Sequence, residues 1–267
     1  MQPLTEFPQN DLLKIRLVLT DIDDTLTENG RLPAASYLAM EKLRQAGLKV
    51  IPITGRPAGW CDHISRMWPV DGIVGENGAF YFEYETAKRK MKRRYWKPER
   101  EREEDRKLLS KLRNKILSVV KGCAVASDQS YREADLAIDY CEDVPALSKS
   151  AVEQIVNIFK QEGAVAKVSS IHVNGWFGNY DKLSMTRILL DESFQTDMDK
   201  SQEQIVFCGD SPNDAPMFGF FQNSVGVANV IDYAEELEQQ PCWVTQKRAA
   251  AGFVELAEAL MAAHSDA

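Results

Sequence analysis

The sequence has no excess of positive charge, no closely paired cysteines and no long apolar run, and each absence removes a class of protein. Lysine and arginine number 32 against 40 aspartates and glutamates, for a formal charge of -8. A general nucleic-acid binder needs a cationic face to displace counterions from the phosphate backbone, so the balance points away from that class. The cysteines, at positions 61, 123, 141, 208 and 242, are odd in number, widely spaced and free of any C-x-x-C pair. That pattern fits reduced thiols better than a disulfide framework or a zinc site. The most apolar tail, residues 249–263, is interrupted by Glu255 and Glu258 and is too short to span a bilayer. Residues 1–14 contain Glu6 and Asp11 and lack the basic start and apolar centre of a signal peptide, so the expectation is a cytoplasmic protein with no membrane partner. No G-x-x-x-x-G-K-[ST] occurs, and no G-x-G-x-x-G follows an apolar run, which argues against P-loop and dinucleotide-binding enzymes.

What is present is enough hydrophobic residue, 44% of 267, for one large or two smaller cores. The organising stretch is the apolar run Ile15-Arg16-Leu17-Val18-Leu19-Thr20, which ends in the carboxylates Asp21, Asp23 and Asp24. A short run rich in β-branched and Leu residues suits a buried parallel strand, and ligands of open α/β sheets lie beyond the carboxyl ends of such strands. Carboxylates gathered there need a compensating cation, and hard oxygen ligands favour Mg²⁺. A helical pattern through Leu38, Met40, Leu43 and Ala46 closes at Gly47, and a second apolar strand follows at 48–54. This βαβ unit places Thr54-Gly55-Arg56 beside Asp21. A helix at 58–67 and a short strand at 71–74 lead to Glu76-Asn77-Gly78.

The rhythm then changes to a hairpin, a charged helix at 99–120, and several strands with few crossovers, the mark of an α+β unit. After a helix beginning at Lys182, the strand 204–208 again ends in an acidic turn, Gly209-Asp210-Ser211-Pro212-Asn213-Asp214. The predicted fold is therefore α/β, a doubly wound, mostly parallel sheet formed by residues 1–83 and 179–267, with an inserted α+β cap at residues 84–178.

In their order, Asp21-Ile22-Asp23-Asp24-Thr25, Thr54, Lys182 and the Asp210 turn resemble the haloacid dehalogenase superfamily of phosphohydrolases, and Glu76-Asn77-Gly78-Ala79 followed by a large insert resembles its C2-capped subgroup of sugar phosphatases and phosphomannomutases. The resemblance implies Asp21 as nucleophile, Asp23 as the group that protonates the leaving alcohol and then deprotonates water, and Thr54 and Lys182 as holders of the phosphoryl oxygens. It implies Mg²⁺ held by Asp21, the Asp23 carbonyl, Asp210 and Asp214. Nearby negative charge is expected to keep a proton on Asp23. The chain departs from many relatives in carrying Asp24 and Leu183 where they have Gly.

Substrate choice is expected to come from the insert. His172, Asn174 and Trp176 share one strand face by the two-residue period, a mixture suited to a sugar or to a solvated sheet face over a cap core. Arg132 could clamp a hydroxyl or a second phosphate, or pair with Glu133 or Asp135. Gly55, Arg56, Asn77 and Asn213, beside the core motifs, complete the candidate substrate-binding residues. The basic run 88–100 could steer an anion or lie as a solvated face balanced by Glu99, Glu101, Glu103, Glu104 and Asp105. The implied partner is a small phosphorylated molecule, most simply a sugar phosphate. A mutase returning the phosphoryl group to the sugar uses the same motifs, and a phosphoacceptor signalling module is a more remote reading. Neither the sugar nor the oligomeric state is written in the sequence.

Overall fold

A computed structural model describes residues 1–169 and 171–265. In chain order its elements are β1 (Gln2–Pro3), α1 (Gln9–Leu12), β2 (Leu17–Thr20), α2 (Ala34–Gln45), β3 (Lys49–Pro52), α3 (Ala58–Met67), β4 (Ile73–Gly75), β5 (Phe80–Glu85), β6 (Lys90–Tyr95) and α4 (Glu99–Val119). There follow β7 (Ala124–Val125), β8 (Asp135–Asp139), α5 (Lys149–Gln161), β9 (Val165–Val168), β10 (His172–Trp176), α6 (Lys182–Phe194), β11 (Ile205–Gly209), α7 (Ala215–Phe220), β12 (Ser224–Gly226), β13 (Trp243–Val244) and α8 (Ala249–Ser265). The main sheet has the order β1-β13-β12-β11-β2-β3, with every pairing parallel. Strand β2 is central as expected, and all four of its residues are buried. Parallel strands covered on both faces need no polar alternation, which is why this segment reads as a continuous apolar run.

Helix α2 differs in one respect from the sequence pattern. Its buried stripe is Ser36, Ala39, Met40 and Leu43, whereas Leu38 is 49% exposed. The observed stripe follows the three-and-four spacing that keeps one helix face against α8.

A bridge between Ile53 and Val74 continues the parallel arrangement to β4, which pairs antiparallel with β5, and β5 with β6. The sequence division at residue 83/84 thus falls inside β5. The whole hairpin hangs from β4, with Phe80, Phe82 and Tyr95 packed into the same cluster as the core helices. The basic run is a paired face: Lys88 meets Glu85, Arg93 meets Asp62, Arg94 meets Glu192 and Lys97 meets Asp105. These partners come from neighbouring strands and helices as well as from the acidic residues at 99–105, so much of the run is balanced locally, while Arg89 and Lys90 stay exposed.

The inserted unit is the sheet β7-β8-β10-β9 backed by α4 and α5. Ser148 caps α5 by accepting from the Ala151 N–H, a contact typically worth ~1 kcal/mol. Alternation splits β8 and β10 cleanly. Leu136, Ile138 and Val173 pack under the helices with Ile155 and Phe159, leaving Asp135, Asp139, His172 and Asn174 for the opposite face. Gly175 is required on the helix side, because a Cβ there would lie 2.2 Å from the Phe159 ring. Trp176 stacks on Tyr180 at 5.6 Å and is buried with the core cluster, so of the three residues on the predicted face it is the one taken up by packing.

Candidate active site

The carboxyl ends of β2, β3 and β11 meet on one edge, each strand delivering its motif. The Asp21 N–H donates to the Cys208 carbonyl at 2.9 Å and the Ile53 N–H to the Thr20 carbonyl at 2.8 Å, which locks the three turns together. Asp21, Asp210 and Asp214 bring one carboxylate oxygen each within 4.8 Å of the others, all three residues being buried. Lys182 Nζ donates to Asp21 Oδ1 at 2.7 Å and to Asp214 Oδ1 at 2.8 Å. Asp181 caps α6 through the Ser184 N–H and so fixes Lys182 in the first helical turn. An ammonium there opposes the helix dipole, and its two carboxylate partners supply the compensation. Leucine at 183 has not displaced it. Gly78 is the second glycine the fold requires: at φ +109 it lies so close to Asp181 that a Cβ would meet the Asp181 carbonyl oxygen at 2.0 Å. That approach seats the Glu76-Asn77-Gly78 turn on the start of α6.

Three carboxylates around one ammonium leave negative charge uncompensated. Burial pushes Asp21 up to about 7, with Asp214 and Asp23 adding to the rise and Lys182 opposing it. Asp210 is driven well above the usual carboxylate range by burial, then by Asp214, Asp21 and Asp24. Hard oxygen donors, close spacing and surplus negative charge all fit a divalent cation such as Mg²⁺. Asp23 contributes no side-chain oxygen to this group. Both its oxygens accept from Arg56, Nε lying 3.0 Å from Oδ1 and 2.9 Å from Oδ2, with Nη2 2.7 Å from Oδ1. The sequence pointed to neighbouring negative charge at Asp23, and the structure supplies a guanidinium instead. Delivering a proton from Asp23 requires one of these bonds to be exchanged for substrate.

One cavity of about 40 Å³ is bordered by Asp21, Asp23 and Asp210 together with all seven candidate substrate-binding residues, Gly55, Arg56, Asn77, Arg132, His172, Asn174 and Asn213. Thr54, fully buried below it, accepts from the Arg56 N–H at 3.0 Å. Not all of these residues have free donors. Arg132 is engaged at all three nitrogens, with Nε and Nη2 on Asp128 and Nη1 on Asp135 and the Gly55 carbonyl. It is a buried strut between cap and core: the expected pairing with Asp135 is present, buried rather than on the surface, and it takes up the donors that a substrate clamp would need. Asn174 Nδ2 donates to Asp135 at 3.0 Å. His172 Nε2 lies 2.8 Å from the Glu142 carboxylate but off the line of a hydrogen bond, and burial, with Arg132 adding to it, lowers its pKa.

Two site features have no counterpart among the sequence candidates. Asn229, just after β12, donates to Asp210 Oδ2 and to the Asp24 carbonyl, each at 3.1 Å, while its own oxygen accepts from the Ala249 N–H. Its place beyond a parallel strand end was the available signal. Asp24 itself sits at φ 55, a left-handed position natural for the glycine of many relatives and tolerated by aspartate. Its carbonyl is what Asn229 uses.

Glu76 is the second. Fully buried, its carboxylate accepts from the Ala58 N–H at the start of α3 and from the N–H groups of Glu133, Ala134 and Asp135 in the cap. Burial, reinforced by Asp135, raises it to about 8. A carboxyl whose folded pKa lies above its unfolded value stabilises the fold at low pH and loses that contribution as pH rises through the folded value. Stability should therefore fall between about pH 4.5 and 8. Glu76→Gln should flatten that part of a urea-midpoint profile, and an unchanged slope would contradict the assignment.

Residues 18–103 match the family profile of haloacid dehalogenase-like hydrolases. That third of the chain is similar to the haloacid dehalogenase-like hydrolases. Solved structures agree in fold over nearly the whole chain. A Thermoplasma acidophilum protein is 20% identical with a TM-score of 0.69, covering 92% of this chain and 98% of its own. The sucrose-phosphatase from Synechocystis sp. PCC6803, solved with sucrose and phosphate, is 16% identical with a TM-score of 0.62, at 92% and 97% coverage. A sugar phosphatase of haloacid dehalogenase subclass IIB is 14% identical with a TM-score of 0.61, at 91% and 98% coverage. No curated protein matches the chain by sequence. Among the described residues no helix is long and apolar enough to cross a membrane.

Proposed function

We propose that the protein is a Mg²⁺-dependent phosphatase acting on a small phosphorylated metabolite, a sugar phosphate, through an aspartyl-phosphate on Asp21. The observation that carries this reading is the buried group of Asp21, Asp210 and Asp214 gathered on Lys182, with Asp23 two residues along turned to a separate partner. One carboxylate is thereby placed among charge-balancing groups and another outside them, the separation a nucleophile and a proton carrier require. In the proposed sequence, Asp21 forms a bond to phosphorus as the ester P–O bond breaks, and Asp23 gives its proton to the departing oxygen. Water then attacks the aspartyl-phosphate while Asp23 takes up its proton, releasing phosphate and restoring Asp21. Thr54 and Lys182 bind the phosphoryl oxygens as charge shifts among them. Mg²⁺ would be held by Asp21, Asp210, Asp214 and the Asp23 carbonyl, and when bound would offset repulsion between the anionic nucleophile and the phosphate.

Support for a sugar as leaving group comes from the fold shared with the sucrose-phosphatase and the subclass IIB sugar phosphatase. The test is phosphate release over a panel of phosphorylated sugars, with and without Mg²⁺, with isomerised sugar phosphate measured in parallel. Free phosphate from at least one sugar ester is expected, and isomerised product without free phosphate would make the protein a mutase. Chelation should reduce turnover by ~100-fold or more, because the carboxylate charge is then uncompensated at the attacking group. Added Mg²⁺ should restore turnover and raise Tm by mass action. Full activity in chelator would refute the metal assignment.

A further inference from the structure

The cavity at Asp21 has room for roughly three waters at ~10–15 Å³ each, which cannot hold a sugar ring. A second, larger recess of about 430 Å³ opens on the other side of Asp23, which borders both. Its walls are Ile22 and Leu32 from the loop after β2, Trp60, Ile64 and Trp68 from α3 and the turn beyond it, and Tyr131 from the cap. Trp60 and Tyr131 are 41% and 57% exposed, unusual for large aromatic residues flanking a buried site. Arg56 divides the two spaces: its guanidinium holds Asp23 and also lies 4.5 Å from the Trp60 ring centroid. The packing of Tyr131 depends on Gly59, where a Cβ would lie 2.9 Å from the Tyr131 Cβ. Among the described residues no lysine or arginine lines the recess, whose polar side chains besides Asp23 are Thr27 and His63, so it lacks the fixed cation that a second phosphate or a carboxylate would need.

We infer that this aromatic recess is the leaving-group subsite, and that the substrate is a phosphate ester whose alcohol carries an uncharged ring with an apolar face, extending beyond a single sugar unit. The inference rests on the phosphatase reading and adds a direction to it. The phosphoryl group lies on the Asp21 side of Asp23, the scissile oxygen at Asp23, and the distal ring against Trp60 and Tyr131. Ring faces stacked on aromatic side chains gain contact area without needing charge, and these walls supply little else.

The test uses two esters with the same reacting bond, glucose 6-phosphate and its phenyl β-glucoside. The wild-type protein should favour the phenyl glucoside by tenfold or more in kcat/KM. Trp60→Ala should bring the ratio near one, Trp60→Phe should keep much of it, and Gly59→Ala should reduce it by displacing Tyr131. A wild-type ratio near one, or a ratio unaffected by Trp60→Ala, overturns the subsite. A second readout does not depend on turnover: unphosphorylated phenyl β-glucoside should quench tryptophan fluorescence saturably in the wild type and not in Trp60→Ala. If neither of these esters nor any member of the sugar-phosphate panel is hydrolysed but the quench is seen, the recess stands and the phosphatase reading fails. If neither effect is seen, the subsite is refuted.

Discussion

Asp21→Asn is expected to lower phosphate release on the order of 10⁴-fold or more, the scale of removing a covalent nucleophile. Asparagine keeps the volume and leaves an oxygen to accept from Lys182, which now donates to Asp21 at 2.7 Å. Its amide oxygen is too weakly nucleophilic to form the phosphoryl intermediate. The fold should survive, because the change removes a buried charge that Asp214 and Asp23 already disfavour. In the metal-free protein the wild type should lose stability between about pH 4 and 7 as Asp21 ionises, since a raised folded pKa stabilises only while the proton is held. The variant should lack that component, and Mg²⁺ should remove it from the wild type. Steady-state phosphate release, urea midpoints across pH and acid-quenched labelling from phosphate-labelled substrate check the set. Wild-type turnover from the purified variant would sink the nucleophile assignment.

Lys182→Met should have the largest effect on stability. Methionine fills a similar space without charge, leaving Asp21, Asp210 and Asp214 buried with no cation between them. Removing one partner from a buried ion pair costs ~3–5 kcal/mol, and the loss should appear as a lower urea midpoint in chelator. It should be greatest at alkaline pH, where the carboxylates are ionised, and shrink as pH falls toward the ordinary carboxylate value of 3.8. Mg²⁺ should recover part of it. Turnover should fall by ~10²–10³ even with the metal present, because the group proposed to balance phosphoryl charge is gone. An unchanged midpoint at pH 8 in chelator would show that Lys182 does not compensate this cluster.

The strands and their acidic ends were legible because each is a local pattern: an apolar run long enough to be buried, then residues no apolar environment tolerates alone. Lys182 was legible only through its order among the other motifs. What the sequence did not disclose is which side chains are already engaged. Arg56 reads as a free cation, yet its partner Asp23 lies 33 positions away. Glu76 reads as part of a turn, yet its carboxylate gathers backbone groups 57 to 59 residues further on. Arg132 reads as a clamp or as a partner of Asp135, and the turn gives no hint that Asp128 and the Gly55 carbonyl also enclose it. Such pairings follow from how cap and core meet, which local periodicity does not encode. The aromatic recess escaped notice for the same reason, as Trp60 and Tyr131 come from separate units.

The pairing of β2 with β11 sets residues 17–20 against 205–208, across the entire inserted unit. Closing so long a loop costs little at equilibrium, only ~0.6 kcal/mol per doubling of length. Its influence is on the order of events, since distant pairings delay folding far more than they weaken the product. The cap sheet and the β4–β6 hairpin can form from nearby segments, whereas Asp21 meets Asp210 and Asp214 only once residues 205–214, within the last third of the chain, have left the ribosome. Until then the central strand carries an unsatisfied edge, open to wrong partners. A nascent or truncated chain ending before residue 205 should therefore be prone to aggregate, and acquisition of the metal should mark the completion of folding.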